Sequence, residues 1–250
     1  MSTEPITDIR TETAGKNLNQ TQHQPRTPPQ PQTTKVDPTD TQLQQQARAF
    51  QMSFSEEALK VFVPCLNEAG PKVLLHVGAG SPSNRPLPLC FQGEDWMEVR
   101  VDIDKRVKPN IVASVTDMQG VPDERSHAVF SSHAHEHLND FEVEKGFAEI
   151  YRVLKPGGFL LMNVPDLKQV AQMIVDGQAD EVLYDSKAGP VRPIDMMFGH
   201  QLSVKKGNAY MSHRTGFTVE RLERFCLEAG FVDVRVRTGR QWDLWVVAVK

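Results

Sequence analysis

Apolar positions follow two regimes along this chain. From Met1 to about Phe50 they are few and unpatterned, and Thr, Gln and Pro fill roughly half of the positions. Such a segment cannot bury enough surface to offset its ordering entropy, which predicts a disordered tail over residues 1–50. Periodic apolar residues then begin. Ser53 and Glu56 have capping-box spacing, and Leu59, Phe62, Val63 and Leu66 recur at helical intervals until Gly70-Pro71. The run Lys72–Val77 reads as a buried strand that enters the glycine turn Gly78-Ala79-Gly80.

Further units alternate. Strands are predicted at Met97–Asp102, Asn110–Ser114 and Ala128–Ser131. Phe141, Val143, Phe147, Ile150, Tyr151 and Leu154 form a helical stripe, stopped by Lys155-Pro156-Gly157-Gly158. Phe159–Val164 is the next strand and Asp166–Asp176 the next helix. Pattern is lost between about Ser186 and Gly216, where Gly, Pro, Met and His are scattered. Thr218–Ala229 is an amphipathic helix, and the strands Phe231–Arg237 and Trp242–Val249 follow. Alternation of this kind predicts one α/β domain over 51–250 with a mostly parallel sheet covered by helices on both faces. The last two strands are joined too tightly for a parallel crossover, so they should pair antiparallel.

Composition narrows the partners. The net charge is −4, and no long basic run offers a footprint for nucleic acid. No stretch approaches the length of a membrane span, and the acidic Glu4, Asp8 and Glu12 argue against an organellar presequence. Cys65, Cys90 and Cys226 are odd in number and form no CxxC, so neither a disulfide framework nor a cysteine zinc site is expected. A reduced, cytoplasmic setting is the default.

The glycine turn and Asp102, at the end of the following strand, form a nucleotide-type pair. Glycines let a ligand approach the backbone, and a carboxylate can grip two ribose hydroxyls. The cluster His133, His135, Glu136, His137 invites a metal reading. It breaks the His-Glu-x-x-His pattern because Asn139 holds the last position, so no metal is expected. His213, Arg214 and Tyr210 stand in the irregular segment, read as a lid over an acceptor pocket.

Taken in order, VLLHVGAG, VRVDID, TDMQGVP, VFSSHAHEHL and FAEIYRVLKPGGFLLMNVPD resemble the motifs of class I S-adenosylmethionine-dependent methyltransferases, most closely the type 11 group. The resemblance runs from about Lys72 to Asp166. It implies a Rossmann-like seven-stranded sheet whose last strand inserts antiparallel. It also implies S-adenosyl-L-methionine as cofactor, held by His76, Gly78, Ala79, Gly80, Asp102, Ile103, Thr116, Asp117, Met118 and Ser132. Asp102 would be the ribose carboxylate, with Asp104 as a lesser alternative, and Asp117 would lie near the adenine amino group.

His133 and His213 are the candidates for acid–base work, and Glu136, Tyr210 and Arg214 for contact with a small-molecule methyl acceptor. Two features depart from the pattern. Pro82 and Pro86 follow the turn where a helix is usual, and His127 stands where an Asp is common before the fourth strand. Two other readings compete: a cofactor-binding module without catalysis, and a dinucleotide enzyme. The latter wants Gly-x-Gly-x-x-Gly, and Ser83 holds the third glycine position.

Overall fold

The computed structural model describes residues 71–82 and 87–250, so the expected tail and the helix beginning near Ser53 lie outside the described residues. The strands β1 (Lys72–Val77), β2 (Trp96–Asp102), β3 (Ile111–Val112) and β4 (Ser126–Ser132) come first. After them come helix α1 (Val143–Val153), β5 (Leu154–Pro165) and α2 (Leu167–Val175). The segment read as irregular is largely ordered. It holds a hairpin of β6 (Tyr184–Ser186) and β7 (Gly189–Val191), then α3 (Pro193–Phe198) and α4 (Gln201–Lys205). Helix α5 (Val219–Glu228) and strands β8 (Val232–Thr238) and β9 (Asp243–Val249) complete the chain.

Seven strands form one sheet in the order β3-β2-β1-β4-β5-β9-β8. The first five are parallel, and β9 lies antiparallel between β5 and β8. The antiparallel end expected from the short final connection is present. Order reverses between β1, which leads outward to β2, and β4, which starts the other half. Loops after β1 and β4 therefore diverge at one carboxyl edge, where open α/β sheets collect ligands.

Two-residue alternation sends Leu75 and Val77 to one face and Leu74 and His76 to the other. On the first face Val101, Val129, Leu160 and Met162 meet Phe147 and Ile150 of α1 and Leu222 and Phe225 of α5. On the second, Phe91, Phe130, Phe159 and Trp245 form a separate cluster with Leu74. Phe147 is fully buried and stacks 5.7 Å from Phe225.

The α1 stripe is shorter than its sequence pattern. Phe141 is 83% exposed, because Asn139 and Glu142 cap a preceding 3-10 turn that turns it outward. Leu154 is buried but already belongs to β5. Lys-Pro-Gly-Gly is thus the start of β5, not a stop before it. A Cβ on Gly158 would sit 2.9 Å from the carbonyl oxygens of His127 and Lys155, so this close strand approach needs glycine. Helices α2 and α5 begin at side-chain caps: Asp166 accepts from the N–H of Lys168, and Thr218 from that of Arg221. His127 falls inside β4, where its Nδ1 accepts the N–H of Val73 at 2.9 Å, a structural tie between segments.

Candidate active site

The first loop of the site is the turn after β1. Gly78 and Gly80 have φ of 66° and 57°, the left-handed region that L side chains resist. At Gly78 space is also closed, since a Cβ there would lie 2.4 Å from the Cβ of Ala134 in the loop after β4. The two loops therefore touch at a residue with no side chain. Asp102 fixes the turn from the end of β2: Oδ2 accepts the Gly80 N–H at 2.8 Å and Oδ1 accepts the Asp104 N–H at 2.8 Å. Its carboxylate is mostly buried yet lies at the edge, with lone pairs left for hydroxyl donors.

Asp104 is turned the other way. It accepts from the N–H and Nε of Arg106, and these hydrogen bonds hold its carboxyl below the usual range. Sequence reasoning missed Arg100, whose guanidinium donates to the carbonyls of Gly80 and Lys108 and so straps the turn to the loop after β2. Its only signal was a cation on an alternating strand.

Of the other residues expected at the cofactor, Ile103 is half exposed at this edge, and Thr116 shares a 2.8 Å hydrogen bond with Ser114. Asp117 is exposed, its N–H donating to the carbonyl of Ser114. Met118 is fully buried and its N–H is taken by Glu149, so its side chain belongs to the core. His76 lies beneath the turn. Its ring packs 5.0 Å from Phe130, and Nδ1 donates to Glu98 at 2.7 Å. Burial lowers its pKa, outweighing Glu98. Ser132, at the end of β4, is half-buried beside His133.

The second loop is built from side chains. His133 has φ 52°, and its N–H donates to the carbonyl of Asn163 on β5. The amide of Asn163 donates to His133 Nε2 at 3.2 Å, so Nδ1 carries the proton and donates to Glu136 Oε1 at 3.1 Å. Glu136 is 1% exposed, and among the described residues its Oε2 has no partner. Burial works to raise its pKa. The His133 hydrogen bond and the imidazoles of His133, His137 and His213 outweigh that and bring it to about 2. His135 points the other way, fully buried against Phe147, and desolvation takes its pKa down to about 4.

The lid reaches this loop across a long sequence separation. Arg214 and Thr215 donate backbone N–H groups to the carbonyl of Glu136. His213 donates from Nδ1 to the carbonyl of Met196 at 2.8 Å, and its Nε2 lies 4.0 Å from Glu136 Oε1. Arg214 is exposed, and Tyr210 is half exposed. Glu136 and His213 head a narrow cleft whose walls include Pro165, Leu167, Val170, Met196 and Met197. Neither Asn163 nor the Met196 wall was marked by sequence reasoning; only the tertiary fold assembles them.

Among the described residues no helix is long and apolar enough to cross a membrane. No curated protein matches the chain by sequence. Among solved structures, it is similar to an Archaeoglobus fulgidus S-adenosylmethionine-dependent methyltransferase at 16% identity, with 80% of this chain and 94% of that one covered and a TM-score of 0.49. An Aquifex aeolicus methyltransferase of the same description gives 15% identity, coverage of 86% and 99%, and a TM-score of 0.49. The 1,6-didemethyltoxoflavin-N1-methyltransferase of Burkholderia thailandensis gives 15% identity, coverage of 85% and 80%, and a TM-score of 0.43.

A family model described as "Methyltransferase domain" matches residues 92–162. This match is narrower than the motif series suggested, because it begins after the glycine turn. It spans the ribose-type carboxylate, the loop after β4 and the Lys-Pro-Gly-Gly strand. On a sheet of this order, residues 92–162 are similar to a methyltransferase domain.

Proposed function

We propose that the acceptor is a small molecule held in the cleft between the loop after β4 and the lid. The observation that carries this reading is the cleft itself. It has apolar walls and a polar head of Glu136 and His213, the kind of lining that small-molecule sites use. A macromolecular acceptor would instead need an extended surface, and the net charge of −4 gives none suited to nucleic acid.

The cofactor supplies an electrophilic methyl carbon on a sulfonium. The residues around the first loop fit it: glycines at Gly78 and Gly80, a carboxylate at Asp102 and an exposed apolar side chain at Ile103. Asp102 binds the ribose, while Thr116 and Asp117 flank the adenine. The chain's task is then positioning, which in well-oriented intramolecular reactions is worth roughly 7–11 kcal/mol. The cleft aligns the acceptor atom and excludes water. As the new bond to the methyl carbon forms, the carbon–sulfur bond breaks and the sulfonium becomes a neutral thioether.

An acceptor O–H or N–H must also lose its proton. The Nε2 of His213 can take it, because Nδ1 is committed as a donor to Met196. His133 is less free, held on both nitrogens by Asn163 and Glu136, and acts here as a positioning residue. Tyr210 and Arg214 supply contacts at the rim.

Mass spectrometry of a metabolite pool incubated with the protein and deuterated-methyl cofactor tests the proposal. A labelled small-molecule product is the expected result. Label found only in protein or nucleic acid would overturn the small-molecule reading.

A further inference from the structure

Three side chains converge at the head of the cleft. Glu136, His137 and His213 each offer one ligand atom, and these atoms lie within 4.8 Å of one another. The rings of His137 and His213 are 4.8 Å apart, centre to centre. Residues 136–137 come from the 3-10 turn after β4, and His213 from the lid, so the group exists only when the lid is docked.

Proton placement on both imidazoles follows from their partners. His137 Nδ1 lies 3.0 Å from the carbonyl oxygen of Ser212, and His213 Nδ1 lies 2.8 Å from that of Met196. A carbonyl only accepts, so both Nδ1 atoms carry protons, and in the neutral ring each Nε2 is the atom left with a lone pair. Backbone carbonyls serve metal-binding histidines in this way, fixing tautomer and ring orientation. Glu136 completes the set from the other side. Oε1 is held by His133, whereas Oε2 is buried without any partner among the described residues. A buried carboxylate oxygen without a donor has room for one further partner, and a cation would meet that need.

The competing account is a carboxylate held by protonated imidazoles. In that arrangement His213 Nε2 would donate to Glu136, but the 4.0 Å separation is beyond a hydrogen bond. A shared ion needs only modest closure, since zinc takes histidine nitrogen and carboxylate oxygen at about 2.0–2.2 Å.

We infer that Glu136, His137 and His213 bind a divalent transition-metal ion of the zinc class, with its remaining coordination positions open to the cleft. His133 and Asn163 form the outer support, as the hydrogen bonds from Asn163 to His133 to Glu136 indicate. No metal was expected from sequence because Asn139 breaks the short motif, while the third ligand stands far away in the lid. Two histidines and a carboxylate with an open position match catalytic rather than closed structural zinc sites. If the cleft holds the methyl acceptor, which rests on the proposal above, the ion selects acceptors with a ligating oxygen or nitrogen. It also takes His213 out of proton transfer.

Cobalt(II) is the probe, added to the full-length chain after chelator treatment and read by visible absorption and metal analysis. One equivalent is expected, displaced by zinc(II). His137→Asn, His213→Asn and Glu136→Gln should each weaken binding by more than about 100-fold, the upper end of what an outer partner costs, and His133→Gln by about 10–100-fold. Circular dichroism and calorimetry with S-adenosylhomocysteine, in chelator, establish that each variant is folded. Failure of stoichiometric cobalt or zinc binding by the folded wild type would overturn the site. So would binding that survives in both histidine variants. Loss of S-adenosylhomocysteine binding with cobalt binding intact would instead count against the methyltransferase reading alone.

Discussion

The loops after β1 and β4 leave the same edge of the sheet and touch at Gly78 and Ala134, yet they are built by different means. The first is a backbone structure. Two glycines in the left-handed region turn the chain, and Asp102 and Arg100 hold its N–H and carbonyl groups. The second is a side-chain structure, in which Asn163, His133, Glu136, His137 and His213 hold one another. A backbone loop leaves room for a ligand to lie on it. A side-chain loop brings chemistry to that ligand but leaves polar atoms such as Glu136 Oε2 unmet. The division of labour proposed above between cofactor and acceptor follows from this difference.

The largest expected effect probes the first loop. In Asp102→Ala the turn loses its acceptor for Gly80 and, on the proposed cofactor site, the ribose loses its carboxylate. Hydrogen bonds to a charged group are worth about 1.5–3 kcal/mol each, so affinity for S-adenosylhomocysteine should fall by about 100-fold or more. Calorimetry reads this directly, and a variant with wild-type affinity would break the assignment of this loop to the cofactor.

The point of contact between the loops comes next. Gly78→Ala places a Cβ 2.4 Å from that of Ala134, at a φ of 66°. Left-handed backbone costs a residue with a side chain about 1–2 kcal/mol, and overpacking about 1–3 kcal/mol more. Together these should lower Tm by about 5–15 °C at roughly 2–4 °C per kcal/mol in a domain of this size. Ala134→Gly in the same chain removes the clash but not the strain, so it should recover only part of the loss. Additive effects in the double variant, measured by thermal denaturation, would show that the loops are not in contact.

The same contrast explains what was legible in the sequence. Elements with a local cause were: apolar β1 before its glycines, the buried face of α1, the Asp166 and Thr218 caps, and the antiparallel pairing forced by a short connection. The pairing of Asp102 with the glycine turn was legible because strand end and turn stand in one unit. The hairpin at residues 184–191 and helices α3 and α4 were not. Their apolar residues, Val191 and Met196, pack against Val170 of α2 and beside Trp242, partners that no periodicity within the segment reveals. His213 meets Glu136 only because α3 and the chain at Ser212 pair around Gly199, where a Cβ would fall on the Met211 carbonyl. His135 and Glu136 are adjacent in sequence, yet one is core and the other site, a choice made by the 3-10 turn.

The smallest effect concerns what lies beneath the first loop. His76 is buried under the glycine turn against Phe130, with Glu98 as its partner. Burial disfavours its charged form more than Glu98 and Asp102 favour it, so its pKa lies below the ordinary 6.5. The unfolded chain then binds a proton that the folded chain refuses. Stability contributed by His76 is present above about 6.5 and is lost as pH falls through the lower folded value. Wild-type Tm should therefore drop between about pH 7.5 and pH 5.5 by more than that of His76→Asn, which cannot titrate there. If the wild type instead gained on the variant upon acidification, the His76–Glu98 pair would be an ion pair in the fold. The support beneath the first loop would then be electrostatic, like the second loop, and the contrast between the two would weaken at its base.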